Sequence, residues 1–283
     1  MINSLTLHFL SRIRDEHFEG RVFLCPQCFV CVDMIYGERE IMDPHQPYRV
    51  DQDVVCRVHT GSITYTMNLV DYTAHAGETF LIPSGTIVEM QERSADYAID
   101  ACSFPPRALD SVQLLSPSRE DDDILCQFFE VLWMKANAQP FHVESVDRIH
   151  AAMQAHLADI RHESEKQPLS PPRASSRREE VLRQFIALVW KHSKQQRTLG
   201  FYADQLHLAP HYLGDMIKAL SGQTVKQWVN RAVVQEVKLR LRYTHKSFAE
   251  IADELNFPNP SFFAKFFKRE TCFTPTEYRQ RWQ

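Results

Sequence analysis

Twice between residues 198 and 280 the chain spells a short helix, a turn, and a second helix that begins on proline. The first copy, "TLGFYADQLHLAPHYLGDMIKALSG", reads as a short helix over about Gly200 to Leu206, a brief turn, and a helix with Pro210 in first place. Proline suits that place because its missing N–H would have no partner there anyway. Gly222 stops the helix. The second copy, "SFAEIADELNFPNPSFFAKFFKRETCFTPTEYR", opens with Ser247 and Glu250 as a capping box and turns Ile251, Ala252 and Leu255 inward. Between the copies, "TVKQWVNRAVVQEVKLRLRYT" begins on a capping box of Thr224 and Gln227 and spans roughly 30 Å at 1.5 Å per residue. Ahead of both, "REEVLRQFIALVWKHSKQQ" puts Val181, Leu182, Phe185, Leu188 and Val189 on one helical face. Such a segment folds as an all-α domain with two helix-turn-helix units.

Within the second copy, "FPNPSFFAKFFKR" joins aromatic bulk to positive charge. Asn256 stands where the first helix must end, and asparagine tolerates the left-handed conformation of that position. Asn259 caps the next helix, with Pro260 first inside it. Phe262, Phe263, Phe266 and Phe267 form a broad apolar stripe, expected to serve as core and not to stack on bases. The opposite face presents Pro260, Ser261, Ala264, Lys265 and Lys268, small and basic, which suits entry into a DNA major groove. Two such helices on a connector of ~30 Å match the ~34 Å turn of the duplex.

Charge divides the chain in the same place. Residues 1–172 hold 13 Lys+Arg against 26 Asp+Glu, a net of −13, and residues 173–283 hold 19 against 10, a net of +9. An anionic partner is expected at the basic half alone. The seam is "KQPLSPPRASSRREE", rich in proline and serine, read as a linker over 166–179 between domains at 1–165 and 180–283. Before it, short alternating runs such as "SITYTMNL" and "ETFLIPSGTIVEM" follow one another without intervening helices, the pattern of an antiparallel β-sandwich or small barrel. Two helical segments close this half. "SREDDDILCQFFEVLWMKANA" starts on Ser118 with acidic residues in its first turn, and "SVDRIHAAMQAHLADIRHE" carries an apolar stripe through Val146, Ile149, Met153, His156 or Leu157, and Ile160. That stripe suits packing on the sheet or a dimer seam equally. The fold class is therefore α+β in two domains.

Cys25, Cys28 and Cys31 lie in "CPQCFVC", a zinc-knuckle spacing without a second ligand pair, so small buried apolar residues are the favoured reading. His45, His59, His75 and Glu78 contain no H-x-H pair, and no metal, other cofactor or catalytic residue is expected. Inward residues such as Tyr48, Cys56, Tyr65 and Met67 are candidates to line a small-molecule pocket, or are plain core. No apolar run reaches the ~18–20 residues of a membrane span. The first residues lack a basic leader and a cleavage site, so the expected compartment is the cytoplasm.

The second helix-turn-helix resembles the signature of the AraC/XylS family of bacterial transcription regulators at Ile251, Ala252, Phe257, Ser261, Phe263, Phe267, Lys268, Thr274, Pro275, Tyr278 and Arg279. The first resembles the family's more variable unit at Leu199, Ala203, Leu206, Leu213, Lys218, Gly222 and Trp228. Asn256 and Cys272 depart from it, standing where glycine is usual, and Gly214 and Asp215 replace a common polar or basic pair. The resemblance implies DNA-facing residues at His211, Gly214, Asp215 and Lys218, then at Pro260, Ser261, Ala264, Lys265 and Lys268. It also implies a cupin-like (jelly-roll-like) sensing domain, a homodimer, operator or promoter DNA and RNA polymerase as partners, and activation as the commoner outcome. A small-molecule effector is expected at the β half. Two alternatives stand beside this reading: a cupin metalloenzyme with a DNA-binding tail, and a regulator whose β half binds no small molecule.

Overall fold

The structure, a computed structural model, describes residues 19–24, 28–35, 42–104, 109–166 and 177–282. Its contacts divide into two compact units, one mainly of residues 3–169 and one mainly of residues 170–283. Residues 167–176, the middle of the expected linker, and Cys25 lie outside the described residues.

Among the described residues, the first unit contains ten strands: β1 (Glu19–Leu24), β2 (Phe29–Ile35), β3 (Pro47–Arg49), β4 (Asp53–Thr60), β5 (Ser62–Met67), β6 (Val70–His75), β7 (Thr79–Ile82), β8 (Ile87–Arg93), β9 (Ala98–Phe104) and β10 (Gln113–Leu115). They form a six-stranded sheet in the order β1-β2-β9-β4-β7-β10 and a four-stranded sheet in the order β3-β8-β5-β6. Neighbours run antiparallel, as Cys56 opposite Phe80 and Met67 opposite Val88 illustrate. Tyr65 of one sheet meets Phe80 of the other with ring centroids 5.7 Å apart, so the two sheets share an apolar layer.

The far face of the larger sheet is covered by α1 (Arg119–Ala136) and α2 (Val143–Lys166). Ser118 caps α1, accepting a hydrogen bond from the Asp121 N–H, and three acidic residues follow in the first turn. The stripe Val146, Met153, Leu157 and Ile160 of α2 is buried against Val30, Cys102 and Phe104 of the sheet and Phe129 of α1. Of the two roles open to that stripe, packing within the chain is the one the fold uses. Cys28, Cys31, Cys56 and Cys102 are all buried thiols in this β structure, and burial pushes Cys56 up to about 12, which keeps it an inert apolar group.

The described residues of the second unit form helices throughout: α3 (Arg177–His192), α4 (Leu199–Gln205), α5 (Pro210–Ser221), α6 (Val225–Tyr243), α7 (Phe248–Glu254), α8 (Pro260–Thr271) and α9 (Pro275–Trp282). Both expected capping boxes form, at Thr224/Gln227 and Ser247/Glu250, and Pro210 and Pro260 each sit in a first helical turn. One core holds the helices together, with Phe185, Tyr202, Leu213, Ile217, Trp228, Ile251, Phe263, Phe267 and Tyr278 among its members.

Candidate nucleic-acid interface

The two helix-turn-helix units are built to the same plan, residue by residue. In the first, the chain leaves α4 through His207 at φ 54°, and the Leu208 N–H returns to the Ala203 carbonyl at 2.9 Å. In the second it leaves α7 through Asn256 at φ 54°, and the Phe257 N–H returns to the Ala252 carbonyl at 2.8 Å. Each turn thus closes on the left-handed residue and the backward bond that end a helix tightly. The second helices, α5 and α8, both end on a left-handed residue, Gly222 at φ 70° and Cys272 at φ 65°. A hydroxyl then ties each of them to the next segment of chain. Ser221 Oγ donates to the Ile217 carbonyl and accepts from Trp228 Nε1, and Thr271 Oγ1 donates to the Phe267 carbonyl and accepts from the Phe273 N–H.

This plan fixes which side of each second helix faces out. In α5, Leu213, Met216 and Ile217 are buried, leaving His211, Asp215 and Lys218 exposed and Gly214 half-buried. In α8, Phe263 and Phe267 are buried, leaving Pro260, Ser261, Lys265 and Lys268 exposed and Ala264 half-buried. All nine expected DNA-facing positions therefore lie outside the core or at its edge. His211 Nε2 lies 3.2 Å from Asp215 Oδ2 one turn on, so that carboxylate already has a local partner. Among the described residues, Lys218 and Lys265 make no ion pair.

The aromatic stripe needs correcting. Phe263 and Phe267 are core, and Phe266 is half-buried against Phe257 with centroids 5.2 Å apart. Phe262 is 62% exposed and lies outside the core expected for it. Its counterpart in the first unit, Tyr212, is 46% exposed. Helical periodicity grouped Phe262 with its neighbours because i and i+1 both fall within a wide stripe, whereas α8 in fact buries only a narrow face. A groove of about 740 Å³ lies beside it, with walls of Leu199, Val225, Phe257, Phe262 and Phe266 and a basic rim that includes Lys226 and Lys265.

In the β unit, the four candidate pocket residues all point into the layer between the sheets. Tyr48, Val88 and Met67 lie in a row across β3, β8 and β5, and all are buried. Tyr65 Oη lies 3.3 Å from Tyr97 Oη, and Tyr97 also contacts the Cys56 thiol. Tyr48 Oη donates to Asp43 Oδ2 at 3.0 Å. The candidate metal-ligating histidines stay apart: His45 contacts Gln91, and Glu78 accepts from the His75 N–H and from Ser116. His59 does meet two carboxylates, Asp33 at 3.5 Å and Asp100 at 3.6 Å, a grouping that left no sign in the local sequence. Both acids already answer arginines, Asp33 to Arg21 at 2.7 Å and Asp100 to Arg57 at 2.8 Å. Arg57 also reaches Asp122 of α1, so this buried network binds helix to sheet.

Two helix-turn-helix units sharing one core define a duplicated helix-turn-helix domain. Residues 202–281 match the family model described as "Helix-turn-helix domain", and this domain is of the AraC/XylS type. The chain is 34% identical over 80 residues to the uncharacterized transcriptional regulatory protein YesN of Bacillus subtilis, covering 28% of this chain and 22% of that one. It is 29% identical over 119 residues to the regulatory protein PocR of Salmonella typhimurium, covering 42% and 38%. It is 28% identical over 85 residues to the HTH-type transcriptional activator RhaR of Cronobacter sakazakii, covering 28% and 30%. The chain thus spans between about a fifth and two-fifths of the length of these curated relatives.

Proposed function

We propose that this protein is a sequence-specific DNA-binding transcriptional regulator, an activator in sign, whose α5 and α8 enter two successive major grooves. The carrying observation is the duplicated plan: two proline-started helices, each ended by a left-handed residue, with outward faces at matching positions, held by one core on either side of α6. At 19 residues, α6 spans roughly 28 Å, close to the ~34 Å of one duplex turn. The net charge of +9 over residues 173–283 supplies the attraction to phosphate. Lys218, Lys265 and Lys268 position the protein on the backbone, and His211, Gly214, Asp215, Pro260, Ser261 and Ala264 meet base edges. The names of the relatives, two regulators and an activator, support both the class and the sign.

The β unit is the sensing domain, cupin-like in its two antiparallel sheets, with Tyr48, Cys56, Tyr65 and Met67 lining the effector site between them. The acidic half resists DNA itself, and effector binding there biases the geometry of a homodimer and its contact with RNA polymerase. The protein acts in the bacterial cytoplasm and performs no catalysis. No described helix is long and apolar enough to cross a membrane.

Fluorescence anisotropy of the full chain tests the DNA reading, using duplexes from upstream of its own gene and scrambled duplexes of equal length at two salt concentrations. Tighter binding to the native duplex that survives added salt supports it. Lys265→Ala then lowers the slope of log K against log salt by about 0.9. Equal binding to both duplexes, lost together with salt, overturns sequence recognition at that site.

A further inference from the structure

Among the described residues, Phe262 is the one ring of the FPNPSFFAKFFKR segment that packs on no other ring. Phe257, Phe263, Phe266 and Phe267 all do, and Phe266 also lies under the Arg269 guanidinium at 5.5 Å. Phe262 is also the most exposed of the large apolar side chains described, at 62%. Its backbone, by contrast, is fixed: its N–H donates to Asn259 Oδ1 at 2.9 Å, so the ring projects from a capped first turn.

The neighbours of Phe262 set the direction in which it projects. Ser261 precedes it, and Lys265 stands one turn on, both exposed. A recognition helix reads bases chiefly through its N-terminal residues, and Phe262 is the third residue of α8. The first unit repeats the arrangement, with Tyr212 third in α5 and also exposed. A lone exposed aromatic is ordinary, but one at the same place in both units, on the outward side of each second helix, has a shared cause.

Resting on the DNA reading above, we propose that Phe262 is a specificity-determining residue that contacts the C5-methyl group of a thymine in the major groove. Bases in an intact duplex are stacked, so the ring has no base face to cover. The major-groove edges are otherwise polar, and the thymine methyl is the apolar feature they offer. Ser261 and Lys265 flank the ring with a hydroxyl and a charge for the polar edges and the phosphate. The site thus prefers a thymine at the position Phe262 meets, and discriminates by shape and apolar contact without a hydrogen bond.

Uracil differs from thymine only by this methyl, and its hydrogen-bonding edge is unchanged. Duplexes are first selected from a random pool by the full-length protein, and each thymine of the selected site is then replaced singly by deoxyuridine. The expected result is a loss of about fourfold in affinity at one thymine, the ratio that burial of one methyl group sets. In Phe262→Ser that ratio falls to near one while the other sequence preferences persist. Phe262→Leu, apolar but smaller, keeps part of the ratio, and matching melting curves confirm that both variants fold. Equal affinity for thymine and uracil at every position overturns the proposal, as does a methyl effect that survives Phe262→Ser. A pool that yields no enriched sequence overturns the DNA reading itself, and this inference with it.

Discussion

The Arg197 guanidinium lies over the Phe257 ring, 4.0 Å from its centroid, and donates a hydrogen bond to the carbonyl of Leu255. Arg197 precedes the first helix-turn-helix unit, whereas Leu255 and Phe257 form the turn of the second. Leu255 ends α7, so its carbonyl is one of those a helix leaves without a partner. Asn256 adds a bond in the opposite sense, from its side-chain amide to the Gln195 carbonyl at 3.1 Å. The segment ahead of the first unit therefore clasps the turn of the second, and the two recognition helices are held in register by more than α6.

Arg197→Ala removes a charge-assisted hydrogen bond and a cation–π contact together, and is expected to cost about 2–3 kcal/mol. Arg197→Lys recovers little of this, because an ammonium cannot stack flat on the ring and reach the carbonyl at once. Urea unfolding followed by tryptophan emission reads the difference, since Trp190, Trp228 and Trp282 all lie in this unit. A shift under about 0.5 kcal/mol for Arg197→Ala would show the clasp to be incidental.

Much of the helical unit was legible in the sequence because its instructions are local. Thr224 with Gln227, Ser247 with Glu250, and prolines at 210 and 260 each fix an end within a few residues, and all formed as expected. Phe262 was misplaced because stripe width depends on what the helix packs against, and that information lies in Phe248 and Phe257, several residues away. In the β unit, alternation marked strands but could not give their order. The meeting of Asp33, His59 and Asp100 depends on β2, β9 and β4 being neighbours, a long-range fact with no local sign. The clasp at Arg197 was invisible for the same reason, spanning 58 residues.

His150 predicts a pH dependence in the first unit. It lies on α2, 4% exposed, against the Phe104 ring at 4.6 Å, and neither ring nitrogen has a hydrogen-bond partner among the described residues. Burial lowers its pKa from 6.5 to about 4, opposed weakly by Asp147. The unfolded chain accordingly takes up a proton near pH 6.5 that the folded chain refuses until about pH 4. This contribution to stability is complete above pH 6.5 and is lost as pH falls toward 4, by up to about 3 kcal/mol. Thermal melts of the wild type and of His150→Phe at pH 7.5 and 4.5 isolate it, because other groups titrate alike in both. The variant should lose clearly less stability on acidification; parallel losses would refute the assignment.

Gln235, in the middle of α6, is 2% exposed, and neither end of its amide has a partner among the described residues. An unsatisfied buried amide opposes folding, whereas an apolar side chain of similar length fits the same space. Gln235→Met is therefore expected to raise stability by about 1 kcal/mol, seen as a higher urea midpoint with an unchanged slope. A lower midpoint would mean that the amide is satisfied in solution, by water or by a bound partner.

The left-handed residues that end the helices give the last prediction. Cys272 holds φ 65° at the end of α8, where Gly222 does the same work at the end of α5 with φ 70°. A side chain with a Cβ is strained in this conformation, and Cys272 is exposed, so its sulfur gains nothing from burial in return. Cys272→Gly should add about 0.5–1 kcal/mol after the greater freedom of glycine in the unfolded chain is counted. Cys272→Ala keeps the strain and should change stability little, which separates backbone relief from loss of the thiol. Asn256, at φ 54°, offers the contrast: asparagine tolerates the conformation, and its amide holds the Gln195 carbonyl. Asn256→Gly should therefore be neutral or destabilising, despite matching the residue usual at that place. If the two glycine substitutions raise the melting temperature equally, the amide bond at Asn256 contributes nothing, and the clasp between the units rests on Arg197 alone.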